Sequence, residues 1–234
     1  VHPGAIYLHH GEQYLVQEYL PQDCHAIVSA VQAGYYTQPL TSSQISIRRQ
    51  DSSRRVGRMN VHVGEVLLTN QVTGYLRRDE LTNDVWDESV LDLPEHQLTT
   101  RATWWTVPDE VVAELGWSTV RLASAAHGAE HAAIGLLPMF APCDRLDIGG
   151  LSTALHPDTG QCTIIVYDGH PGGAGFAEEG FRHFEAWLTA TLDRLTTCPC
   201  QEGCPACVVS PKCGNANQLL DKVSAAQLLS TVLG

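Results

Sequence analysis

Cys198-Pro-Cys200-Gln-Glu-Gly-Cys204-Pro-Ala-Cys207-Val-Val-Ser-Pro-Lys-Cys213 gathers five of the chain's eight cysteines into sixteen residues, while Cys24, Cys143 and Cys162 stand apart. Disulfide frameworks spread their bridges to staple distant loops, whereas gaps of one, three, two and five residues bring sulfurs to one point. Four thiolates in a tetrahedron at about 2.3 Å are what Zn²⁺ asks for. The two-residue gap of Cys204 and Cys207, with Pro205 pre-setting a turn, presents two sulfurs with backbone N–H groups toward them. Four ligands are needed and five are offered. The expected set is Cys200, Cys204, Cys207 and Cys213, with Cys198 spare, on the premise that Cys198 and Cys200 point oppositely if the chain there is extended. Lys212, beside Cys213, is the expected counter-charge to the anionic cluster. An iron–sulfur cluster and redox-active thiols are the competing readings. The second is weakened because three more thiols lie within reach and no thioredoxin-like strand-to-helix turn precedes the motif.

Working outward, the zinc loop (198–213) follows a helical pattern in which Phe181, Phe184, Leu188, Leu192 and Leu195 recur at spacings of three and four. It precedes a second one built on Leu219, Val223, Ala226, Leu229 and Leu233. Helices are expected near 108–115, 119–137, 174–196 and 220–233, with Pro108-Asp109 as a helix start. A strand is expected over Cys162–Tyr167 and another over 98–107 with Trp104-Trp105. Before them the signals are β: Ala5–His9 and Tyr14–Tyr19 flank Gly11-Glu12 as a hairpin, followed by 24–31, 44–47 and 59–72. Acidic 79–95 reads as a connecting stretch. The fold class is therefore α+β: an N-terminal antiparallel β sheet or partial barrel (1–95), then a mostly helical α/β lobe (96–234) carrying the four-cysteine loop.

The 234 residues, 44% hydrophobic and 17% charged, afford a sizeable core and exclude a disordered chain. No apolar run reaches the roughly 18 residues of a spanning helix, so no membrane partner is expected. The chain opens at Val1 on strand-forming residues with no signal-peptide pattern, as a piece of a longer polypeptide would. Its net charge of −12 is uneven: residues 1–78 hold seven Arg against five acidic groups, and the remainder seven basic against twenty-one acidic. Extensive contact of the second half with nucleic acid is disfavoured, since phosphates need basic surface. Arg48, Arg49, Arg54, Arg55 and Arg58 are the exception, either a solvated loop or a contact with a phosphate backbone or a partner.

Two further motifs carry competing chemistry. His127-Gly-Ala-Glu130-His131 matches the inverted zinc-protease pattern His-x-x-Glu-His, and also ordinary packed helix residues. The stretch Asp168-Gly-His-Pro-Gly-Gly-Ala-Gly175 lies where phosphate loops occur, but it lacks their Lys-Ser/Thr, and Glu178-Glu179 would repel an anion. Close helix–strand packing explains its glycines, with a contact to another domain or to DNA as the alternative.

Taken together, Tyr167-Asp168-Gly-His-Pro-Gly-Gly-Ala-Gly-Phe-Ala-Glu, the Cys198–Cys207 cluster and Ser210-Pro-Lys-Cys-Gly-Asn215 closely resemble the C-terminal zinc-binding domain of mitomycin repair factor A and related YprA-like superfamily II DNA helicases. Ala5-Ile6-Tyr7-Leu8-His9, Tyr14-Leu15-Val16 and Tyr35-Tyr36-Thr37 resemble the upstream part of the same region. The resemblance implies a non-catalytic accessory region of a cytoplasmic, ATP-dependent repair helicase. Structural Zn²⁺ would fold it, and it would brace the motor domains and help shape the DNA path. ATP and Mg²⁺ would belong to those motor domains, since no phosphate loop or Asp-Glu-x-His box occurs here. The implied partners are the parent's motor domains and, through the parent, DNA. A monomer is expected, with no catalytic residue of its own. A metallohydrolase on His127, Glu130 and His131, or an independent iron–sulfur or redox protein, is the alternative.

Overall fold

The computed structural model describes all 234 residues. In chain order the elements are β1 (Ile6–His9), β2 (Glu12–Leu20), β3 (His25–Ala30), β4 (Tyr35–Val56), β5 (Met59–Asp79), β6 (Val85–Val90), β7 (His96–Val107), α1 (Asp109–Leu115), α2 (Thr119–Leu136), β8 (Ile148–Thr153), β9 (Cys162–Asp168), α3 (Phe176–Arg182), α4 (Phe184–Thr197) and α5 (Lys222–Leu233). The α+β class expected from the sequence is the one observed. Two compact units form, one from 1–42 with 71–95 and one from 43–70 with 96–234. A single cut after residue 95 therefore does not describe the chain. The strands β4 and β5 are 22 and 21 residues long, so the chain between them is carried into the second unit before it returns.

The first unit holds the antiparallel sheet β1-β2-β3. His10 and Gly11 turn between β1 and β2 with φ of +50° and +83°, the twist that suits a two-residue hairpin. The stretch expected to be a connector contains β6, which pairs with 74–78 of β5. One of its acidic residues serves that pairing: Asp87 accepts a two-pronged contact from Arg77.

The second unit is built on the antiparallel order β4-β5-β7-β9-β8. Adjacent strand residues face opposite sides, and Trp104 and Trp105 are both fully buried, so β7 is covered on both faces. On one face Trp104 packs with Ile45, Val66, Leu68, Ala102 and Ile165. On the other, Trp105 meets Phe184 and Trp187 edge-on at 5.3 and 5.9 Å, and Ile164, Val166 and Val61 complete the floor under the helices. The α2 stripe Ala125, Ala126, Ala129, Ala132 and Ala133 is fully buried because alanine lets neighbouring elements approach closely. A Cβ on Gly128 would stand 3.0 Å from that of Ala225 in α5.

Two expectations change, and one strand was not anticipated. The helix expected over 174–196 is two helices, α3 and α4, parting at His183 (φ −100°, ψ 16°), so Phe181 and Phe184 sit on different ones. The buried side of α5 is Ala225, Leu228, Leu229 and Val232, while Leu219 and Val223 are exposed. Both stripes satisfy helical spacing; the Asp221 N-cap leaves Leu219 outside the helix, and close packing of Ala225 on Gly128 of α2 selects the other stripe. Finally, Gly149-Gly150, unassigned by pattern, belongs to β8. A Cβ on Gly150 would lie 2.7 Å from both Glu130 and Ile134, so only glycine lets this strand lie flat on α2.

Candidate metal centre

The end of α4 and the following turn converge on Cys198, Cys200, Cys204 and Cys207, whose sulfurs all lie within 4.8 Å of one another. Four of the separations are 3.6 Å (Cys198–Cys200), 3.6 Å (Cys198–Cys204), 3.5 Å (Cys200–Cys207) and 3.8 Å (Cys204–Cys207). Sulfurs set tetrahedrally about 2.3 Å from a common centre stand about 3.8 Å apart, so the arrangement is the right size for a Zn²⁺ tetrathiolate. The Cys204 N–H donates to Cys207 Sγ at 3.3 Å, the turn geometry expected from the two-residue gap. Gly203 enters the turn at φ +128°, where a Cβ would stand 2.5 Å from Val208 Cγ2.

Cys198 and Cys213 exchange their expected places. Side chains two residues apart in an extended segment point to the same side, not to opposite sides, so the premise that made Cys198 spare was mistaken. Cys198 faces the other three, and Cys213 lies instead against His127, its Sγ 3.5 Å from Nε2.

Two of the four thiols are shifted in opposite directions. Desolvation opposes ionisation of Cys200, but hydrogen bonds from Cys207, Cys198, Cys204 and Lys222 outweigh it and draw its thiol down to about 7. Burial, aided by the same neighbours, pushes Cys207 up to about 12. Cys200 is favoured as a thiolate over Cys207, and a divalent ion is what lets several thiolates share one point. Lys222 is the counter-charge. Its Nζ donates to Cys198 O at 2.7 Å and Cys200 O at 2.5 Å, and approaches Cys200 Sγ at 3.4 Å. The expected Lys212 instead donates to the Leu146 and Ile148 carbonyls. A lysine in the first turn of α5 opposes the helix dipole, and that mismatch was the available signal for its role. Lys222→Met is expected to speed zinc loss to a chelator at least tenfold, because about 1.5–3 kcal/mol of charge-assisted hydrogen bonding is removed. Unchanged release kinetics would show that the ammonium is incidental.

The other candidate residues fall as follows. His127 and His131 share one face of α2, and Glu130 does not join them: it is buried against β8, hydrogen-bonded to Ser152, with burial pushing its carboxyl up to about 7. The glycine loop after β9 already has an anion. Asp168 Oδ2 accepts N–H groups of Ala174, Gly175 and Phe176 at 2.6, 2.9 and 3.3 Å, and Oδ1 accepts that of Ala177 at 2.8 Å. A phosphate would find those donors taken. Gly173 holds φ +87° where a Cβ would meet Arg101 Cγ at 2.1 Å, so close packing accounts for it.

The arginine group is partly committed. Arg49 pairs with Asp51 at 2.6 Å and Arg58 with Glu114 at 2.8 Å. Arg54 caps α3 through the Phe181 and Arg182 carbonyls and covers the Phe181 ring at 4.9 Å. Arg48 and Arg55 are exposed and form no ion pair.

Comparison with known proteins places this geometry. The family described as the MrfA Zn-binding domain matches residues 129–208. The ATP-dependent helicase YprA of Bacillus subtilis is 31% identical over 210 residues, covering 89% of this chain and 27% of YprA. A Methanocaldococcus jannaschii protein, MJ1572.1, is 38% identical over 112 residues, 46% of this chain and 98% of that protein. The crystal structure of the DUF1998 helicase MrfA bound to DNA superposes with a TM-score of 0.68 at 30% identity, over 98% of this chain and 30% of that one. The chain thus spans little more than a quarter of the helicases it matches. No helix here is long and apolar enough to cross a membrane.

Proposed function

Since this chain belongs to the MrfA Zn-binding domain family and is homologous to YprA, we propose that it is the non-catalytic zinc-binding region of an ATP-dependent superfamily II DNA helicase acting in DNA repair. In this reading Cys198, Cys200, Cys204 and Cys207 hold one structural Zn²⁺. The folded body braces the motor domains of the same polypeptide, helps shape the DNA path and works as a cytoplasmic monomer, while ATP and Mg²⁺ are handled by the motor domains. The observation that carries the reading is the tetrahedral-sized cysteine cluster, closed by Lys222 and joined to the main core through Cys198, Cys207 and Val208. Zinc that ties α4 to α5 stiffens a body; it has no open position for substrate.

The isolated chain is expected to be inert in ATPase, unwinding and peptidase assays. Within the complete helicase, disrupting the cysteine cluster should lower DNA-stimulated ATPase through loss of the brace. Iron in stoichiometric amount, or zinc-dependent peptide cleavage abolished by Glu130→Gln, would overturn the proposal.

Arg48 and Arg55 are the residues assigned to phosphate contact, because their charge is not consumed by acidic partners. In the complete helicase, Arg48→Gln with Arg55→Gln should weaken DNA binding equally for all sequences and flatten the salt dependence by about one unit for each phosphate no longer neutralised. An unchanged salt slope would return both to the solvated surface.

A further inference from the structure

A second group of metal-ligating side chains lies outside the tetrathiolate. His127 and His131 are one turn apart on α2, and Cys213 comes to them from the loop after the cysteine cluster; a ring nitrogen of each histidine and the Cys213 sulfur all lie within 4.8 Å of one another. The two rings stand edge to face with centroids 4.3 Å apart, so their edges converge without stacking.

The backbone around them sets the tautomers. His127 Nδ1 is 3.2 Å from the Leu219 carbonyl, and His131 Nδ1 is 2.6 Å from the Val208 carbonyl. A carbonyl only accepts, so both Nδ1 atoms carry the proton and both Nε2 atoms keep a lone pair. This is the second-shell arrangement that metal-bound histidines use to fix ring orientation. The Cys213 sulfur is 3.5 Å from His127 Nε2. Zinc at about 2.3 Å from sulfur and 2.0–2.1 Å from nitrogen puts those two ligands about 3.6 Å apart in a tetrahedron. Asn215 donates from Nδ2 to the Gln218 carbonyl, which turns its Oδ1 toward Cys213.

From this convergence we infer that His127, His131 and Cys213 form a second site for a divalent ion of the zinc class, distinct from the tetrathiolate. Binding replaces the Cys213 S–H by a metal–sulfur bond and releases one proton; no electron is transferred. The fourth position is left to water or to Asn215 Oδ1. Neither His127 nor Cys213 falls within the matched family region, 129–208. The site is not the protease pattern, because Glu130 packs against Gly150 with Ser152 as its hydrogen-bond partner and is not among the converging ligands. Its place in the fold gives it a structural consequence. The ion would clamp loop 209–219 to α2, and since the Val208 carbonyl holds His131 one residue after Cys207, the two sites share a piece of backbone.

The test counts metal in the 234-residue chain loaded with Zn²⁺ and desalted. Two equivalents are expected in the unsubstituted chain, and one in both His127→Gln and Cys213→Ser. His127→Gln and Cys213→Ser should each keep the full four-thiolate Co²⁺ absorption of the other site, so failure of either site is told apart from failure of the other. Titration with Co²⁺ provides an independent reading on the unsubstituted chain. The first equivalent should show intense sulfur-to-metal absorption from four thiolates, and the second should add a band several-fold weaker from one. A single equivalent in the unsubstituted chain, two equivalents in Cys213→Ser, or no spectral change beyond the first Co²⁺ would each overturn the inference.

Discussion

Serine in place of Cys204 or Cys207 is expected to remove the tetrathiolate metal and abolish cooperative unfolding of the second unit. Structural zinc supplies an apparent binding free energy of about 10 kcal/mol or more in small metal-folded domains, comparable to the whole stability of an ordinary domain. The metal is joined to the core here, not hung from it: Cys198, Cys207 and Val208 are buried with Leu195, Leu228 and Leu229. Losing it therefore loosens α4 and α5 together. The decisive comparison is between Cys198→Ser and Cys213→Ser. The first should lose the four-thiolate Co²⁺ absorption and the second should keep it, with melting followed by circular dichroism. The reverse result would restore Cys200, Cys204, Cys207 and Cys213 as the ligand set.

Asp168→Ala is the second large effect expected. The carboxylate is fully buried and accepts four backbone N–H groups at the start of α3. Truncation leaves those donors without an acceptor, at a cost of about 3–5 kcal/mol, or a fall in melting temperature of roughly 10 °C for a chain of this size. Asp168→Asn, which keeps one oxygen and the shape, should cost less. Zinc content should be unchanged in both, because the loop and the cysteine cluster are separate. A destabilisation below about 1 kcal/mol in urea unfolding of Asp168→Ala would show that water can take over the cap.

The cysteine spacing by itself determined that a metal-sized cluster forms, and Gly11, the alternation in 59–72 and Trp104-Trp105 determined an antiparallel sheet ahead of helices. These are local matters: a turn of two residues, a period of two, a period of three to four. Which thiol completes the cluster was decided by how α4 delivers Cys198 and by where the loop carries Cys213, toward α2. The same distant packing brings Lys222 under Cys198, separated by 24 residues, and Val208 and Leu219 to the histidines of α2. It also made a strand of Gly149-Gly150, which have no propensity to show but leave room for α2, and turned Asp168 into a helix cap where the glycines spelled a loop. Periodicity says that a helix has an apolar side; it does not say which of two admissible stripes faces inward. For α5 that choice came from the packing of Ala225 on Gly128 of α2 and from the burial of Lys222 beside the sulfurs, contacts between residues that only the folded chain brings together.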